Sequence, residues 1–314
     1  MAAISLLKNV QLTHEARITG CAASGAVVAL SPEGAGSLIS ADFESVKEFK
    51  VSGHPQAAAL SPAGSELAIV ASDGIRFFST AAFEMFHRLN NAFLSCLYGR
   101  EDLFWTCARF TPQTVVLKAW EPGSWTQIAQ AKVPDPFGNS EFSLFPGRDK
   151  NSVVLWAAAG QDGQCLFWAS LTGSAIEVSR FKALDETSPP SFSPNGEEFL
   201  VTSECALHRY AYPQGPLKGT LTEVDDEEDD PIGYSVSYID ATQAVLTTME
   251  GRLFLVDATR MTVIEEITLA DPGGGYLLDF LFPLPEKKVA LVYTQRGLGV
   301  QRNSRLCLLA GQRI

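Results

Sequence analysis

Between Gly53 and Thr80 the chain reads GHPQAAALSPAGSELAIVASDGIRFFST. Three short apolar runs lie in it: AAALS, ELAIVAS and IRFFS. The first ends at Ser61-Pro62-Ala63-Gly64 and the second at Asp73-Gly74. Pro-Gly and Asp-Gly steps supply the backbone dihedrals of tight turns, so runs this short between them predict antiparallel strands joined by hairpins. Weaker copies of the pattern recur along the chain. A small repeated sheet therefore sets the architecture.

The order Gly53-His54, Ser61-Pro62-Ala63-Gly64, Leu67-Ala68, Asp73-Gly74 resembles one blade of the WD-repeat β-propeller family. The resemblance implies four antiparallel strands per blade, with Gly-His before the first and Trp-Asp closing the third. Phe78-Ser79 stands where Trp-Asp would fall, so the family's His–Asp–Ser/Thr–Trp hydrogen-bond tetrad lacks its Trp. The resemblance also implies that His54 is hydrogen-bonded inside its own blade.

The chain has 314 residues. Seven blades of roughly 40 to 45 residues need about 280 to 315, which fits one domain over residues 1–314. The first turns of successive copies fall about 36 to 48 residues apart, as blades do. The second-best copy is SFSPNGEEFLVTS, followed by ALHRYAY. The last copy runs out after three strands, YLLDFLF, KVALVYTQ and RLCLLA. The opening residues ISLLKNVQLT, Ile4 to Thr13, are left over. They are expected as the outer strand of the seventh blade, where they would remove an exposed sheet edge. The predicted fold class is all-β, a seven-bladed propeller of four-stranded antiparallel blades closed by the N-terminal strand. ALHRYAY and TRMTVIEEI are too short and too β-branched or aromatic to be helices. Gly273-Gly274-Gly275 reads as a turn between blades.

Apolar residues make up 46% and charged residues 19%, a soluble globular balance. The net charge of -12, with Lys and Arg scattered singly, argues against nucleic acid or an anionic membrane as partner. No run of about 18 apolar residues exists, so no membrane span is expected. Ile18-Thr19-Gly20-Cys21 superficially matches a lipoprotein cleavage site, but the preceding QLTHEAR is polar where an apolar signal core would be needed. The six cysteines (21, 96, 107, 165, 205, 307) lack CxxC or metal spacing. They read as buried thiols of a reducing compartment, and the expected location is cytoplasmic.

The strongest charge feature is EVDDEEDD, Glu223 to Asp230. Its consecutive carboxylates Asp225, Asp226, Glu227, Glu228, Asp229 and Asp230 repel one another and cannot all be buried unpaired. Three readings are open: a solvated loop that supports solubility, a patch for a basic partner, or a calcium loop. The last lacks alternating DxDxDG ligands. The run links the fifth blade to the sixth. Such links share a rim with the middle turns, and that rim is expected to carry Asp135, Asp162, Asp185, Glu186, Glu250 and Asp271. Clustered carboxylates there would steer Lys/Arg-rich segments inward. Trp125, after Pro122-Gly123, and Phe137, in Pro134-Asp135-Pro136-Phe137-Gly138, are candidate apolar anchors. The other four tryptophans, Trp105, Trp120, Trp156 and Trp168, read as strand residues of the core.

His14, His87 and His208 have no partner at metal spacing. No GxSxG elbow, P-loop or dinucleotide glycine pattern occurs. No catalytic residue, cofactor or metal is therefore expected. The leading function is a non-enzymatic interaction scaffold, monomeric on its own, that presents an acidic rim to other proteins. The alternative is an enzyme with its site at the central channel, like propeller lactonases or quinone-dependent dehydrogenases. Those use metal-binding side chains from inner strands. The inner strands here (AAALS, SCLYG, FSLFPG, SFSPN, FLFPLP) are apolar or small, with Glu141 and Asp279 as exceptions.

Overall fold

The computed structural model describes residues 4–99, 103–181, 184, 187–213, 215–224, 230–269, 276–284, 288–295 and 303–311. Strand β1 (Ile4–Gln11) opens the chain. The first blade is β2 (Ile18–Cys21), β3 (Val27–Leu30), β4 (Ala35–Ile39) and β5 (Val46–Lys50). The second is β6 (Ala57–Leu60), β7 (Glu66–Ala71), β8 (Gly74–Ser79) and β9 (Met85–Leu89). The third is β10 (Ser95–Tyr98), β11 (Phe104–Thr111), β12 (Thr114–Glu121) and β13 (Thr126–Pro134). The fourth is β14 (Glu141–Pro146), β15 (Ser152–Ala158), β16 (Gln164–Thr172) and β17 (Ala175–Arg180), with a 3-10 turn Gly160–Asp162 in its middle hairpin.

The fifth blade is β18 (Ser191–Phe192), β19 (Glu198–Ser203), β20 (Ala206–Ala211) and β21 (Leu217–Leu221). The sixth is β22 (Ile232–Tyr238), β23 (Gln243–Thr248), β24 (Leu253–Asp257) and β25 (Thr262–Glu266). The seventh is β26 (Tyr276–Leu284), β27 (Lys288–Gln295) and β28 (Ser304–Gly311), completed by β1. All pairings are antiparallel, and no α-helix occurs among the described residues. The chain is a seven-bladed β-propeller of four-stranded blades. Its contacts group it into two compact units: residues 17–185, holding the first four blades, and residues 1–16 with 186–314, holding the last three.

Within each blade the burial follows strand position. In the second blade β7 is buried from Leu67 to Ala71, while the outer strand β9 is largely exposed. A fully buried Leu or Ile contributes about 1.5 to 3 kcal/mol, so the inner pair of strands carries the stability of each sheet. The turns are those the glycines predict: Gly64 has φ 73° and Gly74 has φ 139°. ALHRYAY and TRMTVIEEI fold as β20 and β25, as their β-branched and aromatic content requires.

In the second unit β1 runs antiparallel to β28 from Ile4↔Gly311 to Gln11↔Arg305, with a bulge between Leu6 and Lys8. The latch continues past the strand. Leu12 N–H donates to the Ser304 carbonyl at 2.8 Å, Ser304 N–H donates to the His14 carbonyl at 3.0 Å, and Ala16 N–H donates to Ser304 Oγ at 2.8 Å. Leu12 and Ala16 are buried. The opening residues thus occupy the place expected of them. Gly273 to Gly275 lie outside the described residues.

Candidate functional site

The links between blades and the middle hairpins meet at the same end of a blade. In the sixth blade the middle-turn residue Glu250 donates its N–H to Asp230 Oδ1 at 2.9 Å, and Met249 N–H reaches the Pro231 carbonyl at 2.9 Å. In the second, Ser72 N–H donates to the Gly53 carbonyl at 3.3 Å. In the fourth, Asn139 Nδ2 donates to Asp162 Oδ2 at 3.5 Å.

Of the acidic run, Asp225, Asp226, Glu227, Glu228 and Asp229 lie outside the described residues, as do Asp185, Glu186 and Asp271. Asp230 is described, and it is buried. Arg252 Nη1 lies 3.8 Å from its Oδ2, while Nε and Nη2 of the same guanidinium grip Glu266 at 3.1 and 2.8 Å. Asp230 is thus an anchor and not a surface carboxylate, because a buried charge is retained only where hydrogen bonds and an opposite charge compensate it. On the other side of the run Val224 is buried in the apolar cluster with Leu200, Ile232 and Val236. The five carboxylates between them are therefore bracketed by two buried residues.

Asp135 is likewise structural. Its side chain is fully buried and ion-paired with Arg109 Nη1 at 2.7 Å. Oδ1 accepts from Phe137 N–H and Gly138 N–H, each at 3.1 Å, and from the Ser140 hydroxyl at 2.5 Å. Oδ2 accepts from Ser140 N–H at 3.1 Å. Burial by itself raises the pKa of Asp135. The hydrogen bonds from Ser140, Arg109 and the loop N–H groups outweigh it and bring the carboxyl down to about 2. Asp162 and Glu250 are exposed.

Neither aromatic candidate stands free. Trp125 is half-buried, with φ 53°. It stacks on His87 at 4.7 Å with an interplanar angle of 7°, and contacts Phe77 at 4.0 Å and Phe104 at 5.7 Å. Burial lowers the His87 pKa. Phe137 is half-buried over Gly163, where a Cβ would sit 3.2 Å from its ring. Among the other tryptophans, Trp105 and Trp168 are buried and Trp120 and Trp156 are half-buried.

The expected His54 hydrogen bond is not made. His54 is exposed with φ 52° and has no hydrogen bond to any described residue. Arg76 replaces it. Nη1 donates to the Ser52 carbonyl at 2.8 Å, and Nη2 pairs with Asp73 Oδ2 at 2.8 Å. Arg88 joins the same carboxylate at 2.9 Å. The side-chain hydrogen bond from Arg76 lowers the Asp73 pKa. A guanidinium in β8 spans both link and turn, which a lone imidazole in the link does not do here. The signal was present in the sequence, as Asp73-Gly74-Ile75-Arg76.

All six cysteines are free. Burial pushes the Cys21 and Cys107 thiols up to about 12. Cys205 alone among the six is exposed. Among the described residues no group of three or more His, Cys, Asp or Glu side chains is placed to hold a metal ion. No described helix is long and apolar enough to cross a membrane.

No protein-family model matches the chain, and no curated protein sequence matches it. Solved structures do. The β-propeller domain of Cps50 (Swd1) from Myceliophteria thermophila superposes with a TM-score of 0.67, covering 99% of this chain and 100% of that one at 9% identity. The likeness is one of fold. It agrees with the blade-like repeats, and it assigns no partner and no site.

Proposed function

We propose that this propeller is a non-enzymatic protein-interaction platform of the WD-repeat type. It presents Asp225, Asp226, Glu227, Glu228 and Asp229 to a Lys/Arg-rich segment of a partner protein. Asp230 serves as the anchor. The observation that carries the reading is the bracketing of five carboxylates between buried Val224 and buried, arginine-paired Asp230. Ends fixed in this way reduce the entropy lost when a basic segment docks, and clustered negative charge raises its on-rate. Six free thiols fit a reducing, cytoplasmic setting.

The test is a titration of a labelled Lys/Arg-rich peptide into the wild type and into D225N/D226N/E227Q/E228Q/D229N. The variant leaves both anchors in place. The reading expects binding that weakens with salt and falls at least tenfold in the variant. Equal affinity for the two proteins overturns it.

A further inference from the structure

A cleft of about 380 Å3 opens between the first and second blades, lined among others by Lys50, Arg76, Phe78, Met85 and Arg88. Its charge runs against the rest of the molecule. The chain has 36 acidic and 24 basic side chains, yet among the described residues no carboxylate lines this cleft. The adjacent Asp73 is already engaged by both arginines.

The cations keep donors in hand. Arg88 gives Nη2 to the Asp73 carbonyl and carboxylate at 2.8 and 2.9 Å, and its Nε and Nη1 make no bond to described residues. An arginine has five N–H donors, so the N–H groups of Nε and Nη1 remain for single charge-assisted hydrogen bonds to carboxylates. Lys50 closes β5, is exposed, and bonds to no described residue. Asp73 meanwhile fixes both guanidinium groups, so little side-chain freedom is lost on binding.

The apolar part of the lining narrows the ligand. Met85 is 55% exposed at the start of β9. Phe78 is half-buried and held by a stacked Phe83 at 5.0 Å. A free inorganic anion would leave this apolar wall idle. A chain segment carrying carboxylates and one aliphatic side chain uses both parts of the lining. The volume suits a few side chains. We propose that the cleft binds an acidic peptide segment of a partner protein, with carboxylates on Lys50 and Arg88 and an aliphatic side chain against Phe78 and Met85. The site is separate from the acidic run and opposite to it in charge.

The probe is a fluorescent Asp/Glu-rich peptide with one central Leu, followed by anisotropy. K50E breaks no bond among the described residues and so keeps the fold, whereas R88E also disturbs Asp73 and serves only as support. K50E is expected to weaken binding at least tenfold, and M85D or replacement of the peptide Leu by Ser several-fold. R260E, at a cation whose side chain is 82% exposed in the sixth blade, should leave affinity within twofold. Three results overturn the proposal: unchanged affinity in K50E, equal losses in K50E and R260E, or inorganic phosphate competing as well as the leucine peptide does.

Discussion

Replacing Asp135 by Asn separates a structural role for this carboxylate from a surface one. The side chain has no exposed area and accepts from Arg109, from the Ser140 hydroxyl and from three loop N–H groups. A carboxyl held at about 2 instead of 3.8 stabilises the folded state at neutral pH by roughly 2 kcal/mol, at about 1.4 kcal/mol per pKa unit. The folded pKa is depressed, so this contribution is complete above about pH 5. It is lost as pH falls toward the folded value, and about half of it is gone by pH 3. Asn keeps the shape but turns an NH2 toward Arg109 or Ser140, leaving a guanidinium without its counter-charge. The expected cost at pH 7 is about 3 kcal/mol, within the range for breaking a buried pair from one side. Urea unfolding followed by tryptophan fluorescence from pH 7 to pH 3 reads it out. The gap between wild type and D135N should narrow by about 1 kcal/mol over that interval. A wild-type midpoint in D135N at pH 7, or a gap independent of pH, refutes the reasoning.

Two further substitutions test packing. Trp125→Ala removes a ring stacked on His87 and tilted against Phe77 and should destabilise the fold by about 2 to 4 kcal/mol in the same assay, whereas a purely surface tryptophan would cost less than about 0.5 kcal/mol. Gly74→Ala places a Cβ 2.2 Å from the Leu89 carbonyl oxygen at φ 139°, so a loss of about 2 kcal/mol or more is expected; an unchanged midpoint would mean that the β8–β9 pairing is looser than described.

The inner strands were legible because burial on both faces demands continuous apolar runs, and AAALS, ELAIVAS and IRFFS became β6, β7 and β8. The outer strand of the fifth blade was not. Leu217–Leu221 reads LKGTL, and a strand with one neighbour and a solvated face needs no hydrophobic alternation. Partner choice was harder still. Asp135 and Asp230 look like members of a charged surface, and only three-dimensional pairing with Arg109 and Arg252 makes them interior groups. Trp125, after Pro122-Gly123, reads as an apolar anchor on a turn, but its ring packs on His87 and Phe77. His54 matched a family pattern whose hydrogen bond is supplied by Arg76 instead. Periodicity reports burial. It does not report which opposite charge a carboxylate will meet.

All placement of links and turns depends on the first strand belonging to the last sheet. Asn9 lies opposite Cys307 in the β1–β28 pairing. Directly opposed residues of antiparallel strands have Cα atoms about 4.5 to 5.5 Å apart, within disulfide range. The measurement is peptide mapping of N9C after mild oxidation, by mass spectrometry with and without reductant. A reducible cross-link between the peptides holding positions 9 and 307 is predicted, formed in the folded protein and not in urea. A cross-link from position 9 to another cysteine, or none in the folded state, would contradict the account.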